Sequence, residues 1–421
     1  MEKTKGLHRA WLVMLGCGML IAGSVTFYTV VIGNFFVPAA ADLEADYSSI
    51  SLYTTVVYLG IACGLPFVGN LLHKIPPAGI AGFAALQSAI VALLAFSDSI
   101  VFWWIGGFFI GVGMSFTSIV FISTVLTNWF TKKTGFAIGA AWGLASIVSA
   151  IMSPLSVTLM DAIGWRSAMI VFAAIGAALA IPAALFMVSY SPDRKGMKSY
   201  GYEQIAGVEG ETEPLVGVPA KHALKSMSFV LVALALALTQ IVSVINAYFP
   251  VYAESVGFAP TVGALMISVA LIFDIVLNAT VGATIDKVGA IRGFVSWMAV
   301  SVVAMVILMF SAGQPLLAYL GAGLGDALYV LLGVGIASVV SHVFGTKDYG
   351  KIFAYISMIG FAAGSVGGFV ITRLYEVTGS FQMVFVFCIV VCVAICGCVL
   401  LANALGKKLP RVSDDGAIPD E

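Results

Sequence analysis

The sequence predicts an all-α polytopic membrane protein, with twelve transmembrane helices in two six-helix bundles. Three observations predict this class: an apolar composition, twelve apolar runs of membrane-spanning length, and an internal repeat. Of the 421 residues, 61% are hydrophobic and 10% are charged, and the mean hydropathy is +1.06. Soluble domains carry about 25% charged residues, so an ordinary globular domain is excluded. The net charge of −1 says nothing about nucleic acid, but the sequence lacks the basic cluster that binding a phosphate backbone needs, so no nucleic acid partner is expected.

Each apolar run is long enough to cross a hydrocarbon core of about 30 Å as a helix. The connections between the runs are short, except for one polar segment at 191–225. The predicted spans are 11–38, 48–72, 78–97, 100–127, 134–160, 166–189, 226–252, 260–284, 291–312, 315–342, 350–375 and 381–405.

The long polar segment divides the chain. We expect an N-terminal six-helix bundle at 1–190, a cytoplasmic linker at 191–225, a C-terminal six-helix bundle at 226–406 and a disordered cytoplasmic tail at 407–421. A signal peptide cleaved within 37–41 is an alternative interpretation of the basic N-terminus. The apolar run there is about twice as long as an h-region, so we expect a retained first helix.

The basic residues predict the orientation. With the N-terminus in the cytoplasm, only Arg166 and Arg373 of the 20 Lys and Arg residues fall at the outer ends of helices. This asymmetry follows the positive-inside rule. It predicts two cytoplasmic termini in a multi-pass protein of the inner (plasma) membrane.

The two halves of the chain repeat each other in three loops, at offsets of 213 to 215 residues. One such match arises easily by chance, but three in register do not. A duplicated six-helix unit with sites at the interface between its halves is a secondary-transporter design. The matched pairs are 69–74 with 282–287, 130–135 with 344–350, and 161–164 with 376–379.

These loops resemble those of the major facilitator superfamily. The superfamily's loop motif after helix 8 is similar to Gly282-x-x-x-Asp286-Lys287-x-Gly289-x-x-Arg292. Finer features resemble the branch of oxalate/formate antiporters and proton-coupled monocarboxylate transporters. They are Asn128-Trp129-Phe130-x-Lys132-Lys133-x-Gly135, Gly164-Trp165-Arg166 and Phe344-Gly345-x-Lys347-x-x-Gly350.

The resemblance implies the major facilitator fold and secondary active transport by alternating access. It further implies proton-coupled symport or antiport of a small monocarboxylate. By the same resemblance, Asp286, Lys287 and Arg292 would form a cytoplasmic gate of charge pairs. Ordinary anchoring charge at the membrane surface is the alternative for these three residues.

One departure from the branch concerns the substrate. Monocarboxylate transporters carry an Asp and an Arg four residues apart in helix 8, and the Arg pairs with the substrate carboxylate. The matching positions here are Asp274 and Asn278, one helical turn apart on the same face. The acid is kept and the base is lost. A cationic or neutral solute is therefore the alternative substrate class.

Asp274 and Asp326 lie in the middle of long apolar runs, and no Lys, Arg or His lies at a comparable depth. A carboxylate in hydrocarbon costs several kcal/mol, so it normally faces a cavity, takes a proton or binds a cation. We therefore predict that the two acids couple transport to a proton or a cation. The alternative is a hydrogen-bonded acid that joins two helices.

Polar and aromatic side chains at similar depth are candidate substrate ligands, although packing or interhelical hydrogen bonds account equally well for any one of them. We expect a small-molecule substrate, protons and the lipid bilayer as partners, a monomer, and no metal or cofactor. No nucleophile–base set falls in a plausible site, so no enzyme is predicted. The candidate substrate residues are Asn278, Tyr329, Tyr28, Trp142, Ser146, Gln240, Asn246 and Tyr355.

Overall fold

The computed structural model describes residues 8–202 and 217–412. These residues form twelve helices that are long and apolar enough to span a membrane, which confirms the predicted all-α class. Apart from isolated bridges, they contain no β structure. The helices are α1 Arg9–Asp42, α2 Ser49–Leu71, α3 Pro77–Leu94, α4 Ile100–Trp129, α5 Thr134–Ile163, α6 Trp165–Met187, α7 Met227–Ser255, α8 Thr261–Val288, α9 Ala290–Met309, α10 Pro315–Phe344, α11 Tyr349–Thr378 and α12 Phe381–Gly406.

Every predicted span corresponds to one helix, and the helix ends differ from the predicted bounds by at most four residues. The largest differences are at the C-terminal ends of α1 and α8, where each helix continues four residues past the predicted bound. Of the tail predicted to be disordered at 407–421, residues 407–412 are described, and Val412 exchanges two backbone hydrogen bonds with Gly217. Residues 413–421 lie outside the described residues. Residues 203–216 of the predicted linker also lie outside them.

The chain divides into two compact units, Met1–Glu213 and Pro214–Glu421. In the first unit, α2 and α4 approach closely because glycines face each other across the contact. A Cβ on Gly111 would collide with the carbonyl oxygen of Val57 and lie 3.0 Å from Gly60 Cα. Small residues at such positions let transmembrane helices pack without side chains between them.

In the second unit, α7 packs against α11 and α12, while α10 packs against α8 and α9. Helix α10 carries glycines on its packed face. A Cβ on Gly323 would lie 2.7 Å from the ring of Phe273 in α8. The missing side chain therefore lets α8 and α10 come together at mid-helix.

Both α1 and α7 contain a short 3-10 segment, at Val31–Phe35 and Val244–Tyr248. A proline follows each segment, Pro38 in α1 and Pro250 in α7. Proline has no N–H to bond to the carbonyl four residues earlier. In α7 the carbonyl of Asn246 instead accepts from the N–H of Phe249, three residues on. The tighter winding follows from the missing donor.

Candidate functional site

The two predicted acids meet inside the C-terminal unit. The carboxyl groups of Asp274 in α8 and Asp326 in α10 lie within hydrogen-bonding reach of each other. Both side chains are buried, with 6% and 5% of their surface exposed. An ionised carboxylate only accepts hydrogen bonds, so a hydrogen bond between the two groups requires a proton on one of them.

The helices around the pair have few Lys and Arg residues. No Lys or Arg occurs in 226–286 or in 293–346, the stretches that form most of α7, α8, α9 and α10. The charged group that acts on Asp326 is Asp274. Two ionised carboxylates this close and this buried would repel each other, so the arrangement suits a pair that holds a proton.

Each acid is held by the amide of an asparagine. Asn246 in α7 donates from Nδ2 to Oδ1 of Asp326 at 2.8 Å. Asn278 in α8 donates from Nδ2 to Oδ1 of Asp274 at 2.8 Å and to the Asp274 carbonyl at 2.9 Å. The second pair confirms that positions 274 and 278 share a helix face. The four side chains join three helices.

Two acceptors in this cluster are buried without a hydrogen-bond donor in the described part of the chain. They are Oδ2 of Asp326 and Oδ1 of Asn246. A buried polar atom without a partner costs about 1 to 3 kcal/mol. The Asp274 carboxyl can donate to Asp326 only when it carries a proton. The cluster is therefore short of donors.

Local irregularities in the helices place these side chains. In α10, regular helix ends at Gly325, resumes over Ala327–Val330 and then widens into a π-helical turn at Leu331–Gly335. Asp326 lies at the first interruption. Asn246 lies within the 3-10 segment of α7. Interrupted helices and π-helical turns are common at functional sites, including ion sites in transporters.

The other candidates of the C-terminal unit differ in how deeply they are buried. Gln240 is buried and packs against α11, where a Cβ on Gly364 would lie 3.3 Å from Gln240 Cβ. Tyr329 is 42% exposed, and Tyr355 is half-buried. Their assignment to the substrate stays a prediction.

The candidates of the N-terminal unit lie in two places. Tyr28 is fully buried, and its hydroxyl is 2.7 Å from Ser88 Oγ. Trp142 and Ser146 follow each other on α5, where Ser146 Oγ donates to the Trp142 carbonyl at 3.1 Å. Nε1 of Trp142 is buried without an acceptor among the described residues. It is the one indole N–H in the candidate set, and its role also stays a prediction.

The predicted gate residues lie where α8 ends and α9 begins. Asp286, Lys287 and Arg292 are all exposed. Gly289 between them has a φ of 91°, which allows the sharp turn between the helices. The gating role of these residues stays a prediction.

A repeated Asn-x-x-x-Pro signal in the sequence identifies the position of Asn246 more sharply than depth alone. It occurs as Asn34-Phe-Phe-Val-Pro38 in α1 and Asn246-Ala-Tyr-Phe-Pro250 in α7. In α1 the Asn34 amide donates to Ser156 Oγ at 2.8 Å and to Ser153 Oγ at 3.0 Å. The two halves therefore repeat the asparagine but give it different partners.

Comparisons with known proteins agree with this architecture. The family model described as the Major Facilitator Superfamily matches residues 14–367. A comparison with curated protein sequences found no match. Among solved structures, a crystal structure of the major facilitator superfamily transporter FucP in the outward conformation matches with a TM-score of 0.66 at 14% identity. The match covers 94% of this chain and 99% of FucP.

The structural match confirms the predicted fold, and the family model covers most of the chain. Members of this family are multi-pass proteins of the lipid bilayer that bind small molecules and move them by alternating access. They are transporters and not enzymes. The finer resemblance to the oxalate/formate and monocarboxylate branch stays a prediction. The chain belongs to the major facilitator superfamily.

Proposed function

We propose that this chain is a proton-coupled secondary transporter of a small organic solute, and that Asp274 and Asp326 together bind the coupling proton. The observation that supports this proposal is the carboxyl–carboxyl contact between α8 and α10. A proton bound between two acids is released when a conformational change separates them or admits water. A pair of this kind can therefore link solute movement to proton movement.

A structural role would predict a different arrangement. An acid that only joins two helices would have its oxygens satisfied by donors, because unsatisfied buried acceptors are costly. Here Oδ2 of Asp326 and Oδ1 of Asn246 lack donors in the described part of the chain. This shortage supports a site whose proton content changes during the transport cycle.

The proposed substrate class depends on which hydrogen-bond donors and cations of the site remain available to a solute. Asn278 takes the position at which the resembling carriers place their substrate-binding Arg, and its amide already donates twice to Asp274. No cation replaces the lost Arg within 226–286. We therefore propose a neutral or cationic solute. A small monocarboxylate is the second candidate, favoured by the loop motifs at 128–135, 164–166 and 344–350.

The remaining finer proposals follow from the sequence. Both termini face the cytoplasm, and the protein lies in the inner (plasma) membrane as a monomer. Two six-helix bundles, at 1–190 and 226–406, carry out the alternating access. Asp286, Lys287 and Arg292 form charge pairs that close the cytoplasmic side in one state.

The first step of the test identifies the solute. A thermal-shift screen of purified protein against carboxylates, amines and amino acids at two pH values selects the compound that stabilises the protein most. The neutral or cationic proposal expects an amine, an amino acid or an uncharged compound. A set of hits confined to carboxylates would favour the second candidate instead.

The second step measures coupling in proteoliposomes with the selected compound. Wild type accumulates it when an inward proton gradient is imposed. Asp274→Asn and Asp326→Asn lose this accumulation but retain exchange of labelled for unlabelled compound. Asp161→Asn, which alters an exposed acid at the end of α5, is the matched control and behaves as wild type. Accumulation that survives both substitutions would overturn the proposal.

A further inference from the structure

Asn246 and Asp326 share one hydrogen bond, and each keeps one buried polar atom without a donor in the described part of the chain. A carboxyl group and a primary amide are both planar, and each offers two polar atoms side by side. One side is made, from Asn246 Nδ2 to Asp326 Oδ1 at 2.8 Å. The remaining atoms of the same two groups, Asn246 Oδ1 and Asp326 Oδ2, are the two buried acceptors without a donor. One proton on Asp326 Oδ2 would supply the hydrogen bond that both atoms lack.

We propose that Asn246 responds to the protonation state of Asp326 through the number of hydrogen bonds that its side-chain amide makes to the acid. The protonated acid would form a closed pair with the amide, with N–H to Oδ1 on one side and O–H to the amide oxygen on the other. The ionised acid keeps only the first bond and sets its second oxygen against the amide oxygen. This inference rests on the proposed function, because it takes Asp326 as a proton-binding group.

The position of Asn246 in α7 gives this difference a structural consequence. Asn246 lies in the 3-10 segment Val244–Tyr248, which Pro250 deprives of one backbone hydrogen bond. A segment with fewer internal bonds depends more on its side-chain contacts. A closed acid–amide pair holds this part of α7 to α10 with two hydrogen bonds, and deprotonation leaves one. Proton binding thereby changes how firmly α7 is held.

The groups that face the pair limit what else could titrate there. From α8, Asp274 faces Asp326, and it is the other acid of the proposed proton site. The other charged side chains of α7 to α11 lie at or near helix ends. They are Glu254, Asp286, Lys287, Arg292, Lys347, Asp348, Lys351, Arg373 and Glu376, and the titratable His342 lies near the C-terminal end of α10. The tyrosines of these helices are Tyr248, Tyr252, Tyr319, Tyr329, Tyr349, Tyr355 and Tyr375.

The N-terminal unit contains a natural control. Asn34 has the same spacing to its proline and also lies in a 3-10 segment, Val31–Phe35. Its amide donates to Ser153 and Ser156, which do not titrate in the accessible pH range. An effect that belongs to the helix break alone should therefore appear at both asparagines. An effect that depends on protonation of Asp326 should appear only at Asn246.

The test uses pH-difference infrared spectroscopy on the purified full-length protein, with no solute needed. The C=O stretch of protonated Asp326 is the pH-dependent carboxyl band that is absent from Asp326→Asn. We expect this band to move to higher frequency in Asn246→Ala, because the acid loses its bond to the amide. Asn34→Ala leaves it unchanged. Asn246→Ser, which keeps a small polar side chain, replaces Asn246→Ala if that variant does not fold.

Hydrogen exchange gives the second readout. In wild type, backbone exchange at 244–248 should be slower at low pH by about fivefold, which corresponds to one hydrogen bond of about 1 kcal/mol. The segment 31–35 in the same sample corrects for the intrinsic pH dependence of exchange. The extra protection is absent from Asn246→Ala and present in Asn34→Ala.

The outcomes separate this inference from the proposed function. An Asp326 band at the same frequency in wild type and Asn246→Ala would overturn the proposed response of Asn246 to protonation. It would not contradict the proton site itself. The absence of any pH-dependent carboxyl band that responds to Asp326→Asn or Asp274→Asn would overturn the proposed function itself.

Discussion

Asn278 uses both N–H bonds of its side-chain amide on Asp274, one turn earlier in α8. One bond reaches the carboxylate at 2.8 Å and the other the backbone carbonyl at 2.9 Å. The residue that stands in place of a substrate-binding arginine therefore fixes the acid. A solute could accept a hydrogen bond from this amide only by displacing Asp274, which is why we place Asn278 with the proton site.

The first prediction concerns Asn278→Ala. Removing a donor from a buried carboxyl group should lower the stability by about 1 to 3 kcal/mol. The loss of stability should be larger at high pH, because the two acids are then ionised and their oxygens depend more on hydrogen bonds from Asn278. The melting temperature in detergent at two pH values measures both effects.

Asn70→Ala is the matched control, because Asn70 is an exposed asparagine that bonds to a carbonyl four residues earlier, in Pro66. It should change the melting temperature little. An unchanged melting temperature in Asn278→Ala, together with lost solute binding, would show that the amide serves the solute instead.

The second prediction concerns the contact between α8 and α10. A Cβ at Gly323 would lie 2.7 Å from the ring of Phe273, the residue before Asp274. Gly323→Ala should push the two helices apart, lower the stability by about 1 to 3 kcal/mol and weaken proton-driven accumulation.

Gly325→Ala is the control on the same helix, because its Cβ would make only ordinary contacts, with Met305 Cε at 3.5 Å and Ala304 Cβ at 3.8 Å. It should be tolerated, and both variants are compared by melting temperature and by uptake. Equal losses in the two variants would show that the glycines matter for the helix itself and not for the approach of α8.

The sequence predicts the twelve helices because long apolar runs leave the chain few alternatives in a bilayer. It also predicts the depth of Asp274 and Asp326, since position along a helix follows from residue count. It does not predict that they meet. They are far apart in the chain, and their contact depends on how α8 and α10 are rotated about their axes. Packing sets that rotation, here through Gly323 and Phe273.

The role of Asn246 shows a second limit of the sequence. Its depth in α7 predicts only that it is a possible solute ligand. Its bond to Asp326 depends on the 3-10 segment, which changes the direction of side chains along the helix. The signal for that segment is in the sequence, since Pro250 lies four residues on and the same spacing recurs at Asn34 and Pro38. Which helix the amide meets is set by tertiary packing.

The third prediction concerns Tyr28, a candidate solute ligand from the sequence. Its hydroxyl lies 2.7 Å from Ser88 Oγ, and Ser88 in turn donates to the Ala84 carbonyl. Tyr28→Phe should therefore cost about 1 kcal/mol of stability and leave solute uptake unchanged. Melting temperature and uptake in proteoliposomes measure the two effects. A raised KM for uptake at wild-type stability would instead return Tyr28 to the substrate site.

The fourth prediction concerns an ionic network in the N-terminal unit. Arg166 at the start of α6 bonds to Asp42 at 2.9 Å, to Asp98 at 2.7 Å and to the Ala95 carbonyl at 3.1 Å. Exposed ion pairs contribute about 0 to 1 kcal/mol each to stability. Asp98→Asn should therefore lower the melting temperature only slightly, and high salt should abolish the difference. Arg166→Lys loses the fork that reaches all three partners and should cost more. Melting temperatures at low and high salt measure both effects, and an equal, salt-independent loss would contradict the network.

The central claim is that Asp274 and Asp326 act as one proton-binding unit. The most direct test measures protons moved per solute, with a pH-sensitive dye in proteoliposomes, for wild type, Asp274→Asn, Asp326→Asn and the double variant. We predict that each single substitution abolishes proton movement while solute exchange continues, and that the double variant is no worse than either single one. Proton movement that persists in both single variants would contradict the claim.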